Sequence, residues 1–441
     1  MQGYVDVEGA LLDSITSGAV ACVRGSYVLK LLKTGGCIER RQDLPSEALW
    51  QVDDVMRQHA HMKRHGAEHL LFHAISYGWA SPDHPDPDSF HLQTLAPVVE
   101  ARLNNSTSID TAFDDIAIFW DFASLYQKAK TSKKAEPVER TAEQKELFTQ
   151  GLNAANVWYG HKLTTVWMLT KMPPDTPHEF QYHQRGWPFV ECALSSIVKS
   201  SERCFDLGAL RDPGAIANYV FDVAHVCRTK RHPPMTPERL AEELDKRRFT
   251  NGSDRDAVKD LYGAAFADVT AGATELFFAG LGWGAAHVGD LGLALPLYTA
   301  LRALHLQHNR LDGSAMEELV DPLVACHNLE YLGLRCNEGL GDAGAKALAR
   351  AMPRCSNLKD IDLASCGIGG PGAAALAAQL PETTALVALN LEENRLGATE
   401  VQEFQAAWGA ASKSDGLRLD SQKLRQVAEK QTKKSIACQI L

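Results

Sequence analysis

The sequence predicts an α/β protein built in two parts: a parallel sheet with crossover helices, then a carboxyl-terminal α/β solenoid of strand, turn and helix repeats. Two observations carry this. Between residues 66 and 200, apolar runs alternate with amphipathic stretches of helical period. Farther on, four similar segments begin at Leu304, Leu332, Ile361 and Leu389, at intervals of 28, 29 and 28 residues. A length of 441 residues holds both parts, since one domain takes roughly 150.

The amino-terminal residues 1–65 read as a helical flank. The α/β region of residues 66–200 follows, with strand candidates at Leu70 to Tyr77, Ile116 to Phe122 and Leu163 to Thr170. Between the last two, Thr141 begins a helix that runs to Tyr159. Gln144 stands at the third helical position of a capping start, and Leu147, Phe148, Leu152, Ala155 and Val157 form the apolar stripe. In sheets of this kind ligands sit beyond the carboxyl ends of the strands. Those ends carry Tyr77 and Trp79, then Asp121, Ser124 and Gln127, and after a proline-rich loop Arg185, Trp187 and Glu191 at the start of a helix. One turn into that helix, the dipole favours the ionised form of Glu191.

Residues 201–267 read as a helical connector, and residues 268–425 as the repeats. Each copy has the form L-x-L-x-x-(N/C)-x-(L/I), with the extra residue of the second copy explaining the interval of 29. Stepping by one period reaches degenerate terminal copies at Leu276 and Leu417, as a stacked array needs at its ends. Strand positions expected on the concave face include His305, Gln307, Arg335, Asp362, Asn390 and Glu392, a surface for a protein partner.

Residues 426–441 form a basic tail. Its last four residues, Cys438, Gln439, Ile440 and Leu441, have the C-a-a-X form, and Leu441 favours geranylgeranyl transfer to Cys438. Lys423, Arg425, Lys430, Lys433 and Lys434 precede it and supply the electrostatic partner that a single lipid needs at an anionic membrane surface. Chance agreement with so short a pattern is the competing reading.

Composition narrows the function classes. Acidic residues outnumber lysine plus arginine by 55 to 45, so no electrostatic footprint for nucleic acid is present. The ten cysteines include no CxxC pair, which fits a reducing cytosol rather than a disulfide framework. The acidic start with Asp6 and Glu8 predicts no secretory signal, and the apolar stretch from Leu276 is broken by glycines and stopped by Asp290. His61, His65, His69 and His73 recur every four residues, either as one metal-binding helix face or as a solvated stripe. The segment Ser81 to Asp88 offers carboxylates for a cation, or a rigid proline turn.

The motifs S-Y-x-W at Ser76 to Trp79, W-D-x-x-S-L-x-Q at Trp120 to Gln127 and R-x-W-x-x-x-E at Arg185 to Glu191 resemble the heterokaryon-incompatibility (HET) domain, itself similar to TIR domains. The repeats resemble the ribonuclease-inhibitor class of leucine-rich repeats. The first resemblance covers Leu70 to Lys199 and implies a flavodoxin-like sheet. It also implies cleavage of NAD at the nicotinamide-ribose bond, with Glu191 at the position of the essential glutamate. NAD is then a substrate, with no permanently bound cofactor. Tyr77, Trp79, Asp121, Ser124, Arg185 and Trp187 would line its site, the tryptophans stacking on the pyridinium and Arg185 meeting a phosphate. Two function classes stay open: a cytoplasmic signalling protein with NAD glycohydrolase activity, and a non-catalytic scaffold whose α/β domain self-associates while the repeats choose the partner.

Overall fold

Long runs of apolar residues flanked by helix formers place strands where both faces can be covered. In a computed structural model the described residues are 9–81, 84–106, 115–128, 139–228, 231–249, 252, 254–413 and 415–419. Cys438 and the basic tail lie outside them. The chain divides into two units, Met1–Arg231 with Thr236–Val269, and His232–Met235 with Thr270–Leu441.

In the first unit, β1 (Val23–Arg24), β2 (Phe72–Tyr77), β3 (Ala117–Phe119), β4 (Thr165–Leu169) and β5 (Cys204–Asp206) form one sheet in the order β1-β3-β2-β4-β5. β1 is antiparallel to β3, and the other pairings are parallel. Every residue of β2, β3 and β4 is buried, as expected of strands covered on both faces. The flanking helices are α1 (Gly9–Thr16), α2 (Gly25–Thr34), α3 (Val52–Arg64), α4 (Phe90–Ser106), the short α5 (Asp121–Ser124), α6 (Ala142–Gly160) and α7 (Gly186–Ile197). α4 links β2 to β3 and packs on α2, whereas α6 and α7 pack together with α1 on α6. The chain therefore steps from β2 to β3 on one side, then crosses to β4 on the other. The reversal lies between β2 and β4, where such sheets leave a crevice beyond their carboxyl ends.

Local chemistry sets the details. Thr141 accepts from the Gln144 N–H (3.1 Å) while Gln144 Oε1 accepts from the Thr141 N–H (3.2 Å), so the capping box read from sequence starts α6. The second strand is shorter than Ile116 to Phe122. Ser124 Oγ accepts the Trp120 N–H (2.9 Å), and Asp121 becomes the first residue of α5 rather than a strand end. Two strands sit in stretches read as helical. β1 lies within residues 1–65 and β5 within 201–267, each too short to show an alternation. Residues Tyr219–Ala224 form a π-helical turn, followed by α8 (Pro237–Asp245) and α9 (Asp254–Gly272). At the start of β4 the buried Lys199 donates Nζ to the Thr164 carbonyl (2.9 Å), and burial pulls its pKa down to about 7.

The second unit carries β6 (Glu275–Phe277), β7 (Ala303–His305), β8 (Tyr331–Gly333), β9 (Asp360–Asp362), β10 (Ala388–Asn390) and β11 (Gly416–Arg418), all parallel and paired in chain order. Their central residues are Leu276, Leu304, Leu332, Ile361, Leu389 and Leu417, the positions marked by the period. Between successive strands run α10 (Ala285–Ala294), α11 (Gly313–Ala325), α12 (Gly341–Ala351), α13 (Gly370–Gln379) and α14 (Ala398–Ala410), each packed on the next. Asparagines tie the units together. Buried Asn309 accepts from the N–H groups of Leu281 (3.0 Å) and Trp283 (3.1 Å) in the preceding unit, and donates to the Phe278 (2.8 Å) and Leu306 (3.0 Å) carbonyls. Asn394 does the same for Cys366 and Ile368. Cys366, at the asparagine position of its own unit, donates Sγ to the Leu334 carbonyl (3.2 Å), which explains the N/C choice in the motif.

A second column recurs with the same period but is invisible in residue type. Gly280, His308, Cys336, Ser365 and Glu393 all have positive φ, between 54° and 71°. Only the first is glycine, so the others bear the left-handed cost that a side chain brings. His308 is exposed, and His308→Asn is expected to raise the thermal midpoint of this unit by about 2–4 °C, a gain of ~1 kcal/mol, measured by differential scanning calorimetry. No rise would show that the loop accepts this φ at no cost.

Candidate functional site

Two adjacent residues at the carboxyl end of β2, Ser76 and Tyr77, project to opposite faces of the sheet because of the pleat. Each holds one carboxyl group. Ser76 Oγ donates to Glu191 Oε2 (2.6 Å) and lies 2.6 Å from the Tyr182 hydroxyl, giving a chain from Tyr182 through Ser76 to Glu191. The Tyr159 hydroxyl faces the same carboxyl and donates to the Ile75 carbonyl (3.0 Å). On the other face the Tyr77 hydroxyl donates to Asp121 Oδ1 (2.6 Å), Trp79 Nε1 to Asp121 Oδ2 (3.2 Å), and the Phe122 N–H to Asp121 Oδ1 (2.6 Å). The Trp79 ring meets Phe122 edge-on at 5.7 Å, and Tyr77 is wedged between His91 and Trp120.

Glu191 is only 8% exposed. Loss of water pushes its pKa up to about 8; the nearby Asp121 adds to the rise, and the hydroxyls of Ser76 and Tyr159 oppose it. The ionised form expected from the helix dipole is thus not favoured: the half-charge of a helix end is weaker than the loss of hydration one and a half turns inside. Burial also raises the pKa of Asp121, with the donors from Tyr77, Phe122 and Trp79 working against it. The tyrosines Tyr77, Tyr159 and Tyr182 are held neutral by burial.

Tyr77, Trp79, Asp121 and Glu191 are therefore brought to one end of the sheet. Arg185 approaches them: its Cδ and the Met172 sulfur close over Gly78, where a Cβ would lie 2.6 Å from that sulfur. Its guanidinium Nε is bonded to the Phe180 carbonyl (2.9 Å). Trp187 turns elsewhere, donating Nε1 to Asp254 Oδ2 (3.0 Å). Ser124 also belongs to another place, since its hydroxyl closes the α5 turn on Trp120. Gln127 likewise binds backbone, donating to the Asp121 and Leu125 carbonyls (both 3.3 Å). Sequence reasoning passed over Ser76, Tyr159 and Tyr182 as site residues. Ser76 and His73 are the polar residues, besides Tyr77, of a strand whose residues are all buried.

The histidine series does not share a helix face. α3 ends at Arg64, His69 lies in a short turn, and His73 is buried in β2 with its ring 4.2 Å from Trp167. Among the described residues no group of three or more His, Cys, Asp or Glu could hold a metal ion. In the segment Ser81 to Asp88, where Pro82 and Asp83 lie outside the described residues, Asp86 caps α4 through the His91 (3.0 Å) and Leu92 (2.9 Å) N–H groups. No helix among the described residues is long and apolar enough to cross a membrane.

In the second unit Leu276, Leu304, Leu332, Ile361 and Leu389 are buried while Leu417, in the terminal strand, is half-buried, and the residues flanking these centres point to the other side of the sheet. His305, Gln307, Arg335 and Asp362 are partly exposed there, whereas Asn390 is buried and accepts the Glu392 N–H (3.1 Å). Arg335 pairs with Glu393 (3.5 Å). The family comparison falls on this unit: residues 325–349 and 354–377 match the profile described as Leucine Rich repeat. The chain carries leucine-rich repeats. No curated protein matches it. These repeats make the second unit a surface for protein interaction.

Proposed function

We propose that this chain is a signalling protein whose leucine-rich repeats bind a protein partner while the α/β unit acts as the effector. The observation that carries the reading is the repeat sheet itself, a row of parallel strands with partly exposed polar and aromatic side chains on the side away from the buried leucines. Proximity labelling in cells, with capture quantified for the wild type and for charge changes at Arg335 and Glu392, tests it. A partner retained equally by both proteins would move the binding function off the strand face.

A second reading, NAD cleavage by a HET/TIR-like unit, is favoured by two carboxyl groups held at the reversal of strand order, Glu191 by Ser76 on one face of the sheet and Asp121 by Tyr77 and Trp79 on the other. Its support also includes the order of the four parallel strands, β3-β2-β4-β5, which is that of flavodoxin-like sheets. Nicotinamide leaves a cationic ring as a neutral molecule, so one carboxylate suffices to stabilise the oxocarbenium-like transition state. That role needs Glu191 without its proton. NAD turnover is therefore expected to rise with pH through about 8 and to vanish in Glu191→Gln, measured on dilute and on concentrated protein. No rate in either protein assigns the α/β unit to assembly rather than catalysis, and equal rates remove Glu191 from the reaction. A cytosolic location rests on the cysteine pattern, and attachment to a membrane surface through Cys438 on the sequence of residues 423–441.

A further inference from the structure

We propose that the strand face of the leucine-rich repeats seats a lysine- or arginine-bearing segment of a partner protein, its apolar stem on Phe277, His305 and Tyr331 and its cationic end at Asp360 and Asp362. This rests on the reading of the repeats as the partner-binding part. Register places these residues side by side. Phe277 pairs with His305, Tyr331 with Asp360, and Gly333 with both His305 and Asp362. The Phe277 and His305 rings stack at 4.3 Å and 13°, and His305 lies 4.9 Å from Tyr331. Phe277 remains 40% exposed although it sits in a strand.

The shelf is braced before any ligand arrives. At Gly333 a Cβ would fall 2.0 Å from Gln307 Nε2 and 2.9 Å from the Tyr331 hydroxyl, so the missing side chain is what lets Gln307 lie across the strand. Gln307 Nε2 donates to that hydroxyl (3.1 Å) and lies 3.3 Å from His305 Nδ1. Next to the aromatic rings the charge is acidic. Neither Asp360 nor Asp362 makes a salt bridge with a described residue; Asp362 accepts the Ala364 N–H (3.1 Å), and Arg335 on the same face pairs with Glu393 (3.5 Å) while acting on Asp362 from farther off. Arg418, two strands farther along the sheet, acts on Asp360 from that distance. Neighbouring strands lie ~4.8 Å apart, so the stem of one lysine or arginine spans from the Tyr331 ring to the carboxylates. Ring face and carboxylates then act on the same cation in a partly desolvated place, the setting in which each contributes most. An anionic or wholly apolar segment would leave the two aspartates with only the more distant Arg335 and Arg418 as counter-charges.

The test is selection of phage-displayed random peptides on the immobilised full chain. Captured peptides are expected to share a lysine or arginine beside an apolar residue. Fluorescein-labelled copies should lose affinity by about tenfold with Asp360→Asn/Asp362→Asn and with Tyr331→Ala, and bind Glu317→Gln, changed on α11, as well as the wild type. Thermal melts confirm that the variants are folded. An acidic consensus, binding indifferent to the asparagine pair, or failure to select any peptide overturns the proposal. Capture only by a Lys430→Glu/Lys433→Glu/Lys434→Glu chain assigns the face to the protein's own basic end and overturns it too. A cellular partner that still binds the asparagine pair would leave the repeats as the interaction surface and remove only this assignment.

Discussion

Asn337→Ala is expected to destabilise the repeat unit by at least ~3 kcal/mol, seen as an early fluorescence transition of Trp283 and Trp408 in urea. Asn337 is fully buried. Its Oδ1 accepts the Leu311 N–H (3.1 Å), and its Nδ2 donates to the carbonyls of Leu306 (3.0 Å) and Leu334 (2.6 Å). Alanine leaves one donor and two acceptors of the backbone without partners in a dry interior, each costing roughly 1–3 kcal/mol. Because Leu306 and Leu311 belong to the preceding unit, the loss falls on the coupling between neighbours, the quantity that makes a stacked array unfold as one. Asn337→Asp keeps the acceptor, loses both donors and is expected to fare no better. A change below ~1 kcal/mol for alanine would mean that water replaces the side chain and that the asparagine column is not what joins the units.

Glu191→Gln is expected to stabilise the α/β unit at pH 8 and above and to change little at pH 4. The folded pKa is raised to about 8 from 4.5, so the folded state holds a proton that the unfolded chain releases between those values. The stabilisation linked to that proton is complete below pH 4.5 and is lost as pH rises to about 8. The ceiling is about 4–5 kcal/mol, from ~1.4 kcal/mol for each unit of pH. Glutamine keeps the shape and the bond from Ser76 without a charge to desolvate. Urea midpoints of both proteins across pH 4 to 9 read the effect. A parallel fall of the two curves would show that Glu191 is hydrated when ionised and that its surroundings open to water.

How much was legible differs between the two units for a physical reason. A repeat writes its geometry into the chain, because every unit must bury the same strand centre and meet the same neighbour. The strand centres from Leu276 to Leu417 follow from counting, and Asn309, Asn337, Cys366 and Asn394 are marked by type. The left-handed column at His308, Cys336, Ser365 and Glu393 was not marked, since neighbouring contacts hold that φ whatever the side chain. In the first unit the buried strands and the Thr141 cap were readable from local pattern. β1 and β5 were not, because two or three residues carry no period.

For the candidate site, sequence by itself determined that Tyr77 and Trp79 stand at the carboxyl end of β2 and that Glu191 lies in the first turns of α7. Only the tertiary structure decided that Asp121 turns into a helix beneath Tyr77 and Trp79, that Trp187 leaves toward Asp254, and that burial pushes the pKa of Glu191 up. Position along a strand or helix is a matter of short-range pattern. Direction and charge are set by distant neighbours and by the exclusion of water, which no stretch of sequence carries alone.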